Sequence, residues 1–389
     1  VKQALGNRSR FLHVQMDITT RCNLHCVMCA REQYPPANHD MPLASFERIG
    51  GQLFDKAAVL TLSCGAEPLM SPHFAEALDI VERYQIPRVE FVTNGTLLNE
   101  RLIHKIIESD VTTVEVSIDG AQADTYERIR QGAKFDRVLQ NLETLESLKA
   151  GRRTRRPYVK LNYVMMRSNI EELPSFVDMA AGLGATEVAP QHLVVYEMAQ
   201  TQGESLYGFQ ELADEMILRA QQAARGHGLI YRMPPLFRDE RSLPRRTWQR
   251  MQYAVDILRH YGWRRIAALG TKLARRKLAI GRTACYMPWE YVLVNPQGAL
   301  LPCNVWYDEA PMGNIIGQSF AEIWHGERYR VLREELRGQR PLRKACANCP
   351  CVASYRIDKS AFETVSMPAT AGDERSGRQG EYAERDINL

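Results

Sequence analysis

The sequence predicts an α/β fold: a parallel sheet covered by helices, then a helical stretch, then a small α+β unit. Three observations carry that prediction. Over the first 200 residues, short apolar or β-branched runs alternate with amphipathic helical patterns six times, the pattern of strand–helix units in a parallel sheet. Between about 200 and 282 the strand signal disappears. From Cys285 onward short strands return around the turn Asn295-Pro296-Gln297-Gly298.

Taken in order, the expected strands are 12–18 (LHVQMDI), 58–63 (AVLTLS), 88–93 (RVEFVT), 112–118 (TTVEVSI), 159–166 (VKLNYVMM) and 186–195 (TEVAPQHLVV). Helices are expected over 43–54, 72–83, 100–108, 135–149 and 170–183. The stretch FQELADEMILRAQQAARGHG is helical in pattern, and SFAEIWHGERYRVLREELRG reads as one more helix. The boundaries expected are therefore 1–200 for the βα region, 201–282 for a helical, basic connector, 283–360 for the small unit and 361–389 for a polar, Gly-rich tail.

The 389 residues give room for about two domains. No apolar run approaches the roughly 20 residues of a membrane span, and the polar start VKQALGNRSRF lacks the pattern of a secretory signal. A soluble, cytoplasmic chain is expected. The net charge of +4 is uneven: positions 232–282 carry 14 Lys/Arg against 3 Asp/Glu, which leaves the remainder acidic. Trp248, Tyr253, Tyr261 and Trp263 are interleaved with these arginines. Aromatics on a helix more often face a core while the arginines are solvated. An anionic or carrier-borne small molecule is the next reading, and nucleic acid ranks below both.

Nine cysteines, odd in number and gathered in two clusters more than 200 residues apart, read as metal ligands rather than a disulfide framework. Cys22-x3-Cys26-x2-Cys29 follows the first expected strand, where a parallel sheet carries its working loops. Three thiolates can hold a four-iron cluster and leave one iron open. A zinc site normally closes its shell with four ligands, and His25 sits inside the motif. Cys64 reads as a small buried residue. Near the C-terminus, Cys285-x17-Cys303 brackets a hairpin and Cys346-x2-Cys349 follows a helix, with Cys351 beyond. A four-cysteine zinc site is the competing reading there.

The first motif, in its strand-then-loop setting, resembles the radical S-adenosylmethionine (SAM) superfamily. SCGAEPLMSP, FVTNGTLL and VSIDGAQADTYERIRQGAKFDRVL follow in the order that family uses. The resemblance implies a partial (β/α)6 TIM-like barrel and a SAM-binding [4Fe–4S] cluster on Cys22, Cys26 and Cys29. It also implies that Glu67 and the backbone beside it hold the SAM amino group, although Cys64-Gly65-Ala66 replaces the usual glycine run. Asn94, Ser117 and Arg130 are implied as further SAM-binding residues. Ser117 and Asp119 suit ribose hydroxyls, and the rigid guanidinium fork of Arg130 suits a carboxylate.

The C-terminal cysteines resemble the SPASM/twitch extension of the same superfamily. Full SPASM extensions carry seven cysteines and two clusters. The five here fit the shorter twitch type, with Cys285, Cys303, Cys346 and Cys349 holding one auxiliary [4Fe–4S] cluster. Gly298 would supply the permissive backbone of the hairpin turn.

The resemblance implies reductive cleavage of SAM, hydrogen abstraction from a substrate, and an external electron donor such as flavodoxin or ferredoxin. Some dehydrogenating relatives place an acid beside the auxiliary cysteine; here Asn304 stands in that position and cannot act as a base. Asp308, Glu309, His192, Tyr196 and Glu197 are other candidate bases. With the first motif beginning by residue 22, no leader-recognition region is expected before it. That favours a small polar metabolite, sugar-like or aminocyclitol-like, over a peptide. The reading from a different class is a non-catalytic iron–sulfur electron carrier or scaffold.

Overall fold

The computed structural model describes residues 10–33, 35–63, 65–194, 201, 203–238, 285–304, 306, 309–347 and 349. Cys64, Tyr196, Glu197, Asp308, Cys351, most of the basic stretch with its four aromatics, and the C-terminal tail lie outside these residues.

The six expected strands form at β1 (Leu12–Met16), β3 (Ala57–Leu62), β4 (Arg88–Thr93), β5 (Thr113–Ser117), β7 (Tyr158–Met165) and β8 (Glu187–His192). They lie side by side in that order, each parallel to the next. Helices Leu43–Leu53, Phe74–Glu82, Glu100–Glu108, Phe135–Gly151 and Leu173–Gly182 fill the connections. Asn99 starts the third of these by accepting the Leu102 N–H at 3.0 Å. Two further short strands, β2 (His25–Cys26) and β6 (Arg130–Gln131), pair antiparallel as a separate ladder.

The sheet is wider than the six strands. Helix Gln210–His227 leads into β9 (Ile230–Tyr231), which adds parallel to β8. At the other edge, β10 (Tyr291–Val294) pairs parallel with β1, in register from His13↔Tyr291 to Met16↔Val294. Strands β11 (Ala299–Leu301) and β12 (Gly313–Asn314) continue antiparallel, so that among the described residues ten strands make one open sheet with β12 and β9 at its edges. The C-terminal strands are thus an extension of the same sheet. Gln52 fastens them to the first large helix: its amide donates to the Ile315 carbonyl at 3.1 Å and accepts the Phe320 N–H at 2.7 Å.

The helix expected over 319–338 is two helices, Phe320–His325 and Glu327–Leu336. Ser319 and Glu322 form a capping box at the first. Gly326 separates them with extended backbone at φ −68°, ψ 169°, and a Cβ there would lie 2.7 Å from the Glu322 carbonyl oxygen.

Strand alternation divides the sheet into two unlike faces. Leu12, Val14, Met16, Leu60, Leu62, Val89, Phe91, Val114, Val116, Val159, Leu161 and Val188 are fully or almost fully buried in the core beneath the helices. The opposite face is polar. The His13 ring lies 2.9 Å from Thr61 Oγ1, which donates to Glu90 at 2.9 Å. Arg88 pairs with Glu90, and Lys160 and Asn162 donate to Glu115 at 2.7 and 3.2 Å. Tyr291 donates to Gln15 at 2.6 Å, carrying this polar row onto β10. Charges this deep persist because they are paired.

Candidate functional site

The loop that leaves β1 carries Cys22, Cys26 and Cys29 and is fastened from four sides. Asp17 N–H donates to Val294 at 2.9 Å and Ile18 N–H to Ser63 Oγ at 3.2 Å. Thr19 and Arg21 both reach Asp40, at 2.7 and 2.8 Å. The Arg21 carbonyl accepts the Glu67 N–H at 2.9 Å. Beyond these anchors the chain pairs Cys26 with Arg130 in the β2–β6 ladder, and Val27 N–H reaches the Ile129 carbonyl at 3.0 Å.

The three thiols lie within electrostatic range of one another. Cys26 is buried, whereas Cys22 and Cys29 are half-buried. Burial pushes the Cys26 thiol up to about 11, with Arg130 opposing the rise and Asp119 and the other two thiols adding to it. Burial likewise raises Cys22. His25, on the opposite side of the two-residue strand, is exposed and pairs with Glu32 at 3.1 Å, so it does not join the thiols.

Glu67 is almost completely buried after β3 and acts as an acceptor hub. One carboxylate oxygen accepts from Thr93 Oγ1 at 2.7 Å and Leu69 N–H at 3.2 Å, and the other from Asn94 N–H at 2.7 Å. Burial still dominates, and its acidity weakens to about pH 7. Asn94 donates to Asn23 Oδ1 at 2.9 Å and accepts from Thr96, while Asn23 donates to Thr96 Oγ1 at 2.9 Å. A closed ring of amides and hydroxyl thereby ties the cysteine loop to the end of β4. Sequence reasoning missed Asn23 and Thr96, because nothing local links positions 71 and 73 residues from their partners.

Arg130 is buried, with Nη2 2.6 Å from Asp119 Oδ2 and Nη1 3.9 Å from the Cys26 sulfur. Asp119 is fully buried and accepts the Val164 N–H at 2.6 Å, while Asn169 donates to its carbonyl at 3.0 Å. Ser117 is half-buried at the end of β5, beside Asn162 of β7. Glu67, Asn94 and Arg130 therefore meet the cysteine loop directly, and Ser117 stands at the same end of the polar face.

The second thiol set gathers at the other end of the sheet. Cys285 precedes β10, and Cys303 follows β11, which runs back antiparallel to it. Cys346 lies within electrostatic range of Cys285, Cys303 and Cys349. Burial pushes Cys346 up to about 12, the other three thiols add to that, and Arg343 opposes it. Arg343 is itself held by both carboxylate oxygens of Glu335 and stacks 4.9 Å from the Trp306 ring. Among the described residues, no three or more His, Cys, Asp or Glu side chains close on a single-ion site; the four thiols share a neighbourhood without meeting at one point.

Two candidate bases have structural partners. Glu309 lies 3.5 Å from Arg343. The His192 Nε2–H donates to the Pro235 carbonyl at 2.7 Å while its ring packs against Phe237, and its place in β8 has the parity of the apolar face. Asn304 is exposed.

Both thiol sets suit a group of positive charge. Burial and neighbouring thiols raise Cys22, Cys26, Cys285 and Cys346, and a bound cationic centre removes that repulsion while releasing the protons. The orphaned Nε of Arg130 beside Cys26 is a donor whose partner such a group would bring.

Residues 16–180 match the radical SAM superfamily, and residues 285–350 match an iron–sulfur cluster-binding domain, SPASM. The chain is a radical SAM enzyme carrying a SPASM domain at its C-terminal end. It is 27% identical over 367 residues to the AdoMet-dependent heme synthase of Methanosarcina barkeri, covering 89% of this chain and 92% of that one. Identity with the mycofactocin maturase MftC of Mycolicibacterium smegmatis is 25% over 339 residues, covering 86% and 74%. Streptococcus suis SuiB bound to S-adenosylmethionine superposes with a TM-score of 0.61 at 15% identity, over 88% of this chain and 72% of that one. The anSMEcpe structure with AdoMet and the Cp18Cys peptide gives 0.58 at 16%, over 87% and 86%. These two structures share the fold. Among the described residues no helix is long and apolar enough to cross a membrane.

Proposed function

We propose that this enzyme cleaves SAM reductively at a [4Fe–4S] cluster on Cys22, Cys26 and Cys29 and takes a hydrogen atom from a small polar substrate, sugar-like or aminocyclitol-like. When bound, the cluster and SAM supply one-electron cleavage of a carbon–sulfur bond and the 5′-deoxyadenosyl radical that abstracts hydrogen. The supporting observation is that the two thiol sets lie at opposite ends of one polar sheet face. Ser117, Asn162 and Gln191 line the upper part of that face and offer hydrogen bonds to hydroxyl or amino groups. The Glu115–Lys160 pair lies deeper, and its charges are already neutralised.

In this reading Arg130 sets the charge beside Cys26, and Glu67 and Asn94 hold the loops that cradle SAM. Cys285, Cys303, Cys346 and Cys349 hold one auxiliary [4Fe–4S] cluster that assists electron transfer, and an external flavodoxin or ferredoxin supplies the reducing electron. A peptide substrate is the second reading, favoured by the 25% identity to a maturase over 86% of this chain.

Anaerobic reduction of the iron-loaded protein with SAM, followed by chromatography for 5′-deoxyadenosine, tests the first step. Absence of any product would overturn the reading. Deuterium transfer into 5′-deoxyadenosine from labelled aminocyclitols, but not from labelled peptides, separates the two substrate classes.

A further inference from the structure

The helix Glu327–Leu336 is tied to each segment that carries a C-terminal thiol, through two residues set two positions apart. Such positions point about 200° apart around a helix axis. On one side Arg333 Nε donates to the Pro288 carbonyl at 3.0 Å, and its Nη1 to the Trp324 carbonyl at 2.7 Å. Pro288 belongs to the short helix Met287–Glu290, which begins two residues after Cys285. The Arg333 guanidinium lies over the Trp324 and Tyr329 rings, 4.5 and 4.8 Å from their centroids.

On the other side the buried Glu335 accepts from Arg343 Nε and Nη2, one on each carboxylate oxygen, at 2.7 and 2.9 Å. Arg343 stands three residues before Cys346, and its carbonyl accepts the Cys346 and Ala347 N–H groups at 3.1 and 2.9 Å. The same guanidinium lies over the Trp306 ring and 3.5 Å from Glu309. Trp306 stands three residues after Cys303, and its indole N–H is anchored on the Ala310 carbonyl at 3.1 Å. One side chain thus joins the segment leaving Cys303 to the segment entering Cys346, and Glu335 fixes that side chain to the helix. A two-point Arg–carboxylate pair sets orientation as well as distance. Ordering both segments only when a ligand arrives would cost conformational entropy at that moment; contacts made beforehand remove that cost.

We propose that Glu335 and Arg343 are positioning residues for the C-terminal cluster, holding the Cys303 and Cys346 segments together in the metal-free chain so that the thiols stay in place to retain iron. This rests on the reading of Cys285, Cys303, Cys346 and Cys349 as cluster ligands. The fork of Arg343 is what the role requires, because it must meet two carboxylate oxygens while its flat face rests on Trp306.

The test is iron release from the full chain, reconstituted anaerobically with iron and sulfide and then challenged with excess EDTA. Reduced samples are read by electron paramagnetic resonance. The signal that changes on adding SAM belongs to the first thiol set, and the unresponsive signal to the C-terminal set. Glu335→Gln is expected to lose the unresponsive signal about tenfold faster than wild type while the SAM-responsive signal decays at the wild-type rate. Arg343→Lys keeps the charge without the fork and should behave like Glu335→Gln; wild-type decay in either variant overturns the proposal. Arg330, exposed on the same helix and paired with Glu327 and Glu334 at 2.9 and 2.7 Å, supplies the control. Arg330→Gln should leave both decays unchanged, and an equal acceleration there would assign the effect to helix stability and overturn the proposal. If Glu335→Gln holds neither signal, Trp306→Leu replaces it, and a wild-type decay of its unresponsive signal overturns the proposal. Failure of the underlying reading looks different: alanine at Cys303 and Cys346 together would leave the unresponsive signal intact.

Discussion

Arg130 and Cys26 face each other across the two-residue β2–β6 ladder, with the guanidinium Nη1 3.9 Å from the sulfur and Nη2 2.6 Å from Asp119. The pair joins the cysteine loop to the loop after β5, so electrostatic and structural roles coincide in one side chain. Arg130→Ala would leave the fully buried Asp119 carboxylate without its counter-charge. The expected loss in urea unfolding of the metal-free chain is about 3–5 kcal/mol. The double variant Asp119→Asn/Arg130→Gln should recover a large part of it, because no buried charge then remains. A double variant no more stable than Arg130→Ala would show that the loss is not electrostatic.

Glu67 gives the metal-free chain a specific pH dependence. Burial raises its pKa from 4.5 to about 7 in the folded state, so the folded chain holds this proton more tightly than the unfolded chain. Stability therefore falls as pH rises from about 4.5 through 7 and is level in this respect above. The size is on the order of 3 kcal/mol. Glu67→Gln should flatten that slope in melts between pH 5 and 8. It should also be less stable at low pH, since its amide would present N–H groups to the Asn94 N–H.

The amide ring between Asn23, Asn94 and Thr96 predicts a loop phenotype. Asn94→Ala removes the bond to Asn23 and leaves the Thr96 N–H without its acceptor. A loss of about 1–3 kcal/mol is expected, together with lower iron retention by the first thiol set during anaerobic gel filtration. Asn23→Ala should reproduce the iron loss at smaller cost in stability.

The C-terminal site can be perturbed without touching a thiol. Gly298 has φ +82°, and a Cβ there would lie 2.6 Å from Ile316 side-chain carbons. Gly298→Ala should shift the β10–β11 turn and lower iron content, while 5′-deoxyadenosine formation in the absence of substrate survives. Cys303→Ala should behave alike, sparing SAM cleavage and impairing turnover. Normal turnover in that variant would restrict the second site to a structural role.

Much of this architecture is readable in the chain because its signals are local. Arg88–Thr93 and Glu100–Glu108 fall where alternation and helical spacing put them. The Cys22–Cys29 spacing, after a strand, marks a candidate thiol site without any distant partner. Other features depend on pairings that no window contains. The apolar positions of 319–338 continue across Gly326, so periodicity runs through a break that backbone geometry imposes. Arg130 reads as an open fork for a carboxylate, and only the fold shows Asp119 already seated in it. Asn23 looks like an ordinary loop residue until β4 brings Asn94 beside it.

The adjacency of β1 and β10 also bears on how the chain is made. Gln15 meets Tyr291 276 positions later. At a synthesis rate of about 5–20 residues per second, one edge of β1 stays uncovered on the ribosome for roughly 14 to 55 seconds. An open strand edge is a template for pairing with another chain. A nascent chain that has not reached its last quarter therefore keeps that edge bare, and a fragment stopping before residue 285 is expected to associate through it.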